Sequence, residues 1–311
     1  LLYAGQLGSE PFVEIGAEVG RADPGPSTGG TWGDFDADGD LDLYVVNHKR
    51  ADHLYRHIDG HLFERSDLAE DDGAGVGATW VDWDNDGDLD LSLARYGEPD
   101  RLLRNEGSEG NFRFTDIAPE VRLDDRGQGQ MVAWGDYDLD GDPDAYVVNG
   151  GEARDVSRLY HNDHGSFSDA SIETGLTDPT KGAARIGKAA IWWDHDGDGD
   201  LDLLTIARGE GSGLFENDGL SGKNGWLKVR VRNQDLGDLN WFPGSVIVHS
   251  AMRHTSLLMN AHSSYLNQGS QLAVVGLGRD GVDSVEVIRI AEDPYVDYAR
   301  SKDSFEISRR V

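Results

Sequence analysis

The chain has 311 residues, enough for a large core or for two domains, with 28 Lys and Arg against 58 Asp and Glu for a formal charge of −30. That charge excludes nucleic acid as a partner, since phosphate would be repelled, and 8 Trp, 10 Tyr and 9 Phe exclude a disordered acidic tail. With no cysteine there is neither disulfide nor thiolate chemistry, and no apolar run reaches the length of a membrane span.

The first stretch, "LLYAGQLGSEPFVEIGAEVG", has neither an initial methionine nor a basic leader, so a signal peptide is expected to have been removed or left out. It reads as the outer hairpin of a sheet whose inner strands lie elsewhere in the chain. From Gly29 onward one order of pieces recurs four times. A Gly-rich entry leads to a strand with tryptophan two residues before an aspartate run: Trp32, Trp80, Trp134 and Trp192. The aspartate loop follows, then a second strand: "LDLYVVN", "LDLSLAR", "PDAYVVN" and "LDLLTIA". A hairpin with a polar Gly turn completes the unit: "HLYRHIDGHLFER", "RLLRNEGSEGNFRFTD" and "RLYHNDHGSFSDA", with the fourth interrupted at "GLFENDGLSGKNG". Four short strands per unit, with turn signals between, describe a propeller blade. The tryptophans are expected to pack between blades. Beyond the fourth unit, "WLKVRVR", "GSVIVHS", "SLLMNAH", "QLAVVGL", "VDSVEVI" and "DSFEIS" alternate without an aspartate loop and read as a small β-sandwich or barrel.

The loops begin at residues 34, 82, 136 and 194, a period of 48, 54 and 58 residues. Their aspartates are Asp34, Asp36, Asp38, Asp40 and Asp42; Asp82, Asp84, Asp86, Asp88 and Asp90; Asp136, Asp138, Asp140, Asp142 and Asp144; and Asp194, Asp196, Asp198, Asp200 and Asp202. Five like charges in nine residues resist a tight turn unless a cation neutralises them. Carboxylates at positions 1, 3 and 5, a glycine at position 6 for the bend, a carbonyl at position 7 and a carboxylate at position 9 supply the oxygen shell that calcium accepts. Magnesium prefers a rigid octahedron and keeps its waters. The expectation is about four calcium ions, one per loop. Weak loops of this kind need the millimolar calcium found outside the cytosol, which points to a secreted or periplasmic protein.

The "WGDFDADGDLDL" units resemble FG-GAP (also called VCBS) repeats, the calcium-binding blades of integrin-α-type propellers. The segments "NGWLKVRV" and "YLNQGSQLAVVGLGRDGVDSVEVIRI", around Gln268 and Gly276-Leu277-Gly278, resemble the ASPIC/UnbV domain that follows such repeats in cartilage acidic protein and its bacterial relatives. Where relatives often carry a Trp-Pro pair after the "VEV" strand, this chain has Arg289-Ile290. The fold expected is all-β: a calcium-binding β-propeller over residues 1–225 and an ASPIC/UnbV-like β domain over residues 226–311. Integrin-type propellers have seven blades, and seven units of this period exceed the chain. Four blades, closed by pairing the N-terminal hairpin with the fourth inner strands, is the preferred arrangement. The alternatives are a fragment of a longer array and a fifth blade completed by residues 226–311.

The second strands end opposite the loops at Asn47, Arg95, Asn149 and Arg208, and Gln128, Gln130, Arg185 and Lys188 return there. These residues suggest a polar, partly cationic mouth for an anion or carboxylate, with capping of backbone groups as the competing role. His48, His53, His57 and His61, and His161 with His164, cluster in hairpins and read as solvated, with a transition-metal site as the alternative. His195 stands where other loops have an aromatic residue, its side chain expected to face outward. No G-x-S-x-G elbow, H-E-x-x-H or P-loop is present. Two functions follow: an integrin-α-like binding module, or a lyase or cyclase of natural-product or sugar chemistry working at the mouth. The partner, whether protein, glycan or small molecule, is left open.

Overall fold

The computed structural model of the chain describes residues 3–4, 13–14, 26–58, 62–66, 73–109, 111–151, 156–176, 187–208, 212–217, 224–233, 244–250, 254–259, 272–278, 282–289 and 303–310. These residues are all-β apart from one short helix. Two strands, β1 (Tyr3–Ala4) and β2 (Val13–Glu14), pair with each other. The first unit is β3 (Ser27–Gly33), β4 (Asp42–Asn47), β5 (His53–Ile58) and β6 (Leu62–Ser66). The second is β7 (Gly75–Val81), β8 (Asp90–Arg95), β9 (Arg101–Asn105) and β10 (Phe114–Asp116), followed by α1 (Ala118–Val121). The third is β11 (Gly129–Gly135), β12 (Asp144–Asn149), β13 (Arg158–Asp163) and β14 (Ser166–Asp169). The fourth has three described strands, β15 (Gly187–Trp193), β16 (Asp202–Ala207) and β17 (Gly213–Phe215). Within each unit the strands pair in sequence order, all antiparallel.

The second strands β4, β8 and β12 are buried almost throughout. They lie inside their own sheet and between neighbouring sheets, which is why they read as continuous apolar runs rather than alternating ones. The Gly-rich entries have two causes. Register shifts at Ser27/Gly29, Gly75/Gly77, Gly129/Met131 and Gly187/Ala189 put a bulge at the start of every first strand. There the backbone also presses on the preceding unit: a Cβ on Gly75 would lie 2.7 Å from Val46, and one on Gly187 2.6 Å from Val148.

The core is divided among the junctions between units. Phe35, Tyr44 and Val46 pack with Trp80, Leu91 and Leu93 between the first and second; Trp83 and Leu102 with Val132, Val147 and Phe167 between the second and third; Met131 and Tyr146 with Ala190, Leu203 and Trp192 between the third and fourth. Trp80 stacks on Phe35 (centroids 6.1 Å apart, planes 8° apart) and Trp192 on Tyr137 (6.5 Å, 19°). Trp80, Trp134 and Trp192 therefore join units, the packing expected of them.

The first strands pack in succession, β3 on β7, β7 on β11 and β11 on β15. The closure expected from the chain ends is not formed among the described residues. β1 and β2 pair only with each other, and the fourth sheet keeps three strands. A side-chain staple joins successive units. Asn105 Nδ2 donates to Phe35 O (2.9 Å) and Leu89 O (3.2 Å), Asn162 to Trp83 O (3.1 Å) and Pro143 O (3.0 Å), and Asn217 to Tyr137 O (2.7 Å) and Leu201 O (3.3 Å). Each asparagine ties its own loop to the loop of the unit before it. The first unit has His57 at this place.

The C-terminal strands are β18 (Gly225–Asn233), β19 (Gly244–Ser250), β20 (His254–Met259), β21 (Leu272–Gly278), β22 (Val282–Arg289) and β23 (Asp303–Arg310). They form two three-stranded sheets, β21-β18-β23 and β20-β19-β22. Leu227, Val229, Val275 and Leu277 of one meet Val246 and Val248 of the other, giving the expected sandwich with its own core. No helix among the described residues is long and apolar enough to cross a membrane.

Candidate metal centre

Every aspartate loop joins the first two strands of its sheet through the same backbone path. Position 4 is left-handed (φ 54° at Ala37, 58° at Asn85, 61° at Leu139, 87° at Gly197), and the glycine at position 6 follows at 94°, 94°, 99° and 112° for Gly39, Gly87, Gly141 and Gly199. Glycine adopts the second of these conformations without a steric penalty, which accounts for its place in all four loops. The path gathers carboxylates. Oxygens of Asp34, Asp36 and Asp42, of Asp82, Asp84 and Asp86, and of Asp136, Asp138 and Asp140 each lie within 4.8 Å of one another.

Position 1 is held by the loop backbone. Asp34 accepts from the N–H groups of Asp38 (3.1 Å) and Gly39 (3.0 Å), and Asp136 from those of Asp140 (3.1 Å) and Gly141 (3.0 Å). Position 9 carries a structural duty the sequence did not announce. Buried Asp42, Asp90, Asp144 and Asp202 accept, through Oδ1, the backbone N–H of His57 (2.8 Å), Asn105 (2.7 Å) and Asn162 (2.8 Å) on the third strands and of Asn217 (2.9 Å) just past β17. The second oxygen takes the N–H of Phe35 (3.2 Å), Tyr137 (3.1 Å) and His195 (2.7 Å) in three of the loops. The side chains at position 7 differ among the loops. Asp40 is half-exposed, whereas Asp142 and Asp200 are buried, Asp142 taking a bond from Asn85 Nδ2 (3.1 Å) of the preceding loop.

Burial sets the electrostatics. It pushes Asp42 and Asp82 up to about 8 and Asp90 to about 9, with neighbouring loop carboxylates adding to the effect. Asp34, Asp84 and Asp140 rise to about 6 for the same reason. Asp84 Oδ1 and Asp90 Oδ2 are buried with no hydrogen-bond partner. Acceptors without donors, beside like charges, fit a hard cation.

A third-strand side chain overlooks each loop. Arg56 pairs with Asp36 and with Asp38 (3.3 Å), and Arg104 lies near enough to Asp84 to lower its pKa. His161 faces Asp144 (3.3 Å) and Asp138 (3.5 Å), and its hydrogen bond to Asp144, ahead of the opposing effect of burial, pushes it up to about 9. The fourth unit has Glu216 there. His195 is exposed, as expected, with Nδ1 3.6 Å from Asp202. His164 lies beside Asp142 (3.2 Å) and Asp163 (3.0 Å). His61 falls outside the described residues.

At the opposite strand ends the expected mouth residues are drawn into the backbone. Buried Asn47 accepts from Ser27 Oγ (3.0 Å) and donates to Ala51 O (2.9 Å); buried Asn149 donates to Asp125 Oδ1 and Val156 O (both 3.1 Å). Arg95 donates to Pro99 O (3.2 Å) and pairs with Glu98. Lys188 Nζ donates to Gln130 Oε1 (2.7 Å), so these two do meet across units. Arg208 is exposed, and Arg185 lies outside the described residues. The capping partners recur: Asp52 and Asp100 accept the N–H of Asn47 (2.6 Å) and Arg95 (2.7 Å), and Ser157 and Ser212 those of Asn149 (3.1 Å) and Ala207 (3.0 Å). A cleft of about 730 Å³ between the third and fourth units is lined by Tyr137, Leu159, Trp192, Leu203 and Phe215, with none of the mouth residues.

Residues 34–93 and 82–147 match the family model for the FG-GAP-like repeat. The match begins at position 1 of the first loop and runs into β12, so it takes in the first three loops. No curated protein matches the chain.

Proposed function

We propose that this chain is a calcium-stabilised interaction module of the integrin-α-like β-propeller type, working outside the cytosol. Calcium is held by the loops beginning at Asp34, Asp82 and Asp136, with positions 1, 3 and 5 as carboxylate ligands and position 9 tying the loop to the third strand. The ion supplies charge neutralisation, which lets buried carboxylates stay ionised. The observation that carries this reading is the set of mutually close, largely buried or half-buried carboxylates recurring at one backbone conformation, within repeats that match the FG-GAP-like family. Residues 226–311 are proposed as the ASPIC/UnbV-like unit, on the segment around Gly276-Leu277-Gly278. The geometry favours a module over an enzyme, because Asn47, Arg95 and Asn149 are committed to backbone groups of their own loops. Thermal melting of chelator-stripped protein, with calcium or magnesium returned, tests the proposal. Binding to the native state alone contributes about 2.7 kcal/mol per site at a hundredfold excess over Kd, so calcium should raise Tm strongly and magnesium much less. Coincident curves with and without calcium would refute it.

A further inference from the structure

The fourth loop is built differently from the others. Asp194 Oδ1 accepts from Gly197 N (2.8 Å), at position 4, where Asp34 and Asp136 take the N–H groups of positions 5 and 6. The other oxygen of Asp194 faces the ammonium of Lys228, which comes from β18 of the C-terminal sandwich. Lys228 Nζ also donates to Gly197 O (3.0 Å) and lies 4.8 Å from the centre of the Trp226 ring. Trp226 covers the position-6 glycine: a Cβ on Gly199 would collide with its ring, whereas Gly39 and Gly87 face open space. Next to it, Gly276 packs on Asp136 and the Leu139 backbone, Gly278 N donates to Leu139 O (2.9 Å), and Leu139, Leu201 and Val274 share a buried cluster. The third-strand position that is Arg56, Arg104 or His161 in the first three units is Glu216 in the fourth, so the fourth unit brings no cation of its own to that place.

We propose that Lys228 is the resident cation of the fourth aspartate loop, which docks the C-terminal sandwich instead of holding a metal ion. The side chains that overlook the first and third loops can withdraw at modest cost: Arg56 is 43% exposed and His161 25%. Lys228 is 11% exposed, with its carboxylate partner fully buried. A calcium ion at Asp194 would have to displace a largely buried ammonium while the sandwich stays seated, and would strand its charge there. Gly197 stands at position 4, where the other loops have Ala37, Asn85 and Leu139, and its carbonyl accepts from the ammonium.

The ion count rests on the calcium reading above; the ion pair does not. Calcium titration of chelator-stripped full-length protein, by calorimetry with metal analysis, should give three ions in the wild type and four in Lys228→Met. Four in the wild type, or three in the variant, would overturn the proposal and leave the calcium reading intact. No binding in either would sink the calcium reading, and the pair is then judged by a cycle made in chelator. In it Lys228→Met and Asp194→Asn should each speed proteolysis of the C-terminal sandwich by about tenfold or more, since breaking a buried pair exposes the docked unit. The double variant should be no faster than either single one. Additive effects would overturn the proposal whatever the metal content.

Discussion

Asn162→Ala perturbs the junction between the second and third units at one point. The side chain is fully buried and makes three bonds: Nδ2 to Trp83 O (3.1 Å) and Pro143 O (3.0 Å), and Oδ1 from Gly165 N (2.8 Å). A buried hydrogen bond contributes about 1 kcal/mol net, and partners left dry by its removal cost more, so the variant should lose about 3 kcal/mol. That corresponds to a fall in Tm on the order of 10 °C for a structure of this size. Asn162→Asp is the informative companion, because it keeps the acceptor for Gly165 and the volume but can donate to neither carbonyl. It should lose at least as much. Denaturant melts followed by tryptophan fluorescence would read both, since Trp83 and Trp134 flank the junction. A loss below about 0.5 kcal/mol in Asn162→Ala would refute the idea that these asparagines couple successive units.

Gly33→Ala should lose about 2 kcal/mol with or without calcium, because its Cβ would lie 2.6 Å from the Trp80 ring, itself held against Phe35; a melt equal to wild type would contradict that packing. In chelator, stability should fall as pH rises from about 5 to 9. Asp42 and Asp82 at about 8 and Asp90 at about 9 are raised above the ordinary 3.8, so their contribution is complete below that value and is lost as pH climbs through the folded one. A denaturation midpoint that rises with pH in chelator would contradict the burial assigned to these carboxylates.

The strand order of the repeats was legible because each piece leaves a local mark: tryptophan before the loop, aspartate alternation, an apolar second strand and a Gly-turn hairpin. The sandwich was legible for the same reason, from alternation in segments such as "GSVIVHS". Closure was not, since it depends on which sheets meet. Yet Asn105, Asn162 and Asn217 share one position, and its replacement by His57 marks the first unit as different. Of the two roles open for the strand-end residues, ligand mouth or backbone cap, the contacts of Asn47 and Arg95 are those of a cap. Asn47 and Arg95 end strands, and what they do there is settled by Asp52 and Asp100, five residues on, which draw the chain into a cap. The pairing of Lys228 with Asp194 links residues 34 positions apart, one in β18 and one in the fourth loop, and Gly197 and Glu216 are the local traces it leaves.

The central claim is that the aspartate loops hold calcium, and the anomalous difference map of a crystal grown in calcium tests it site by site. The account predicts a peak inside each of the loops that begin at Asp34, Asp82 and Asp136, about 2.3–2.6 Å from carboxylate oxygens of positions 1, 3 and 5, and none between Asp194 and Lys228. Ordered loops at Asp34, Asp82 and Asp136 with no anomalous peak in any of them would contradict it.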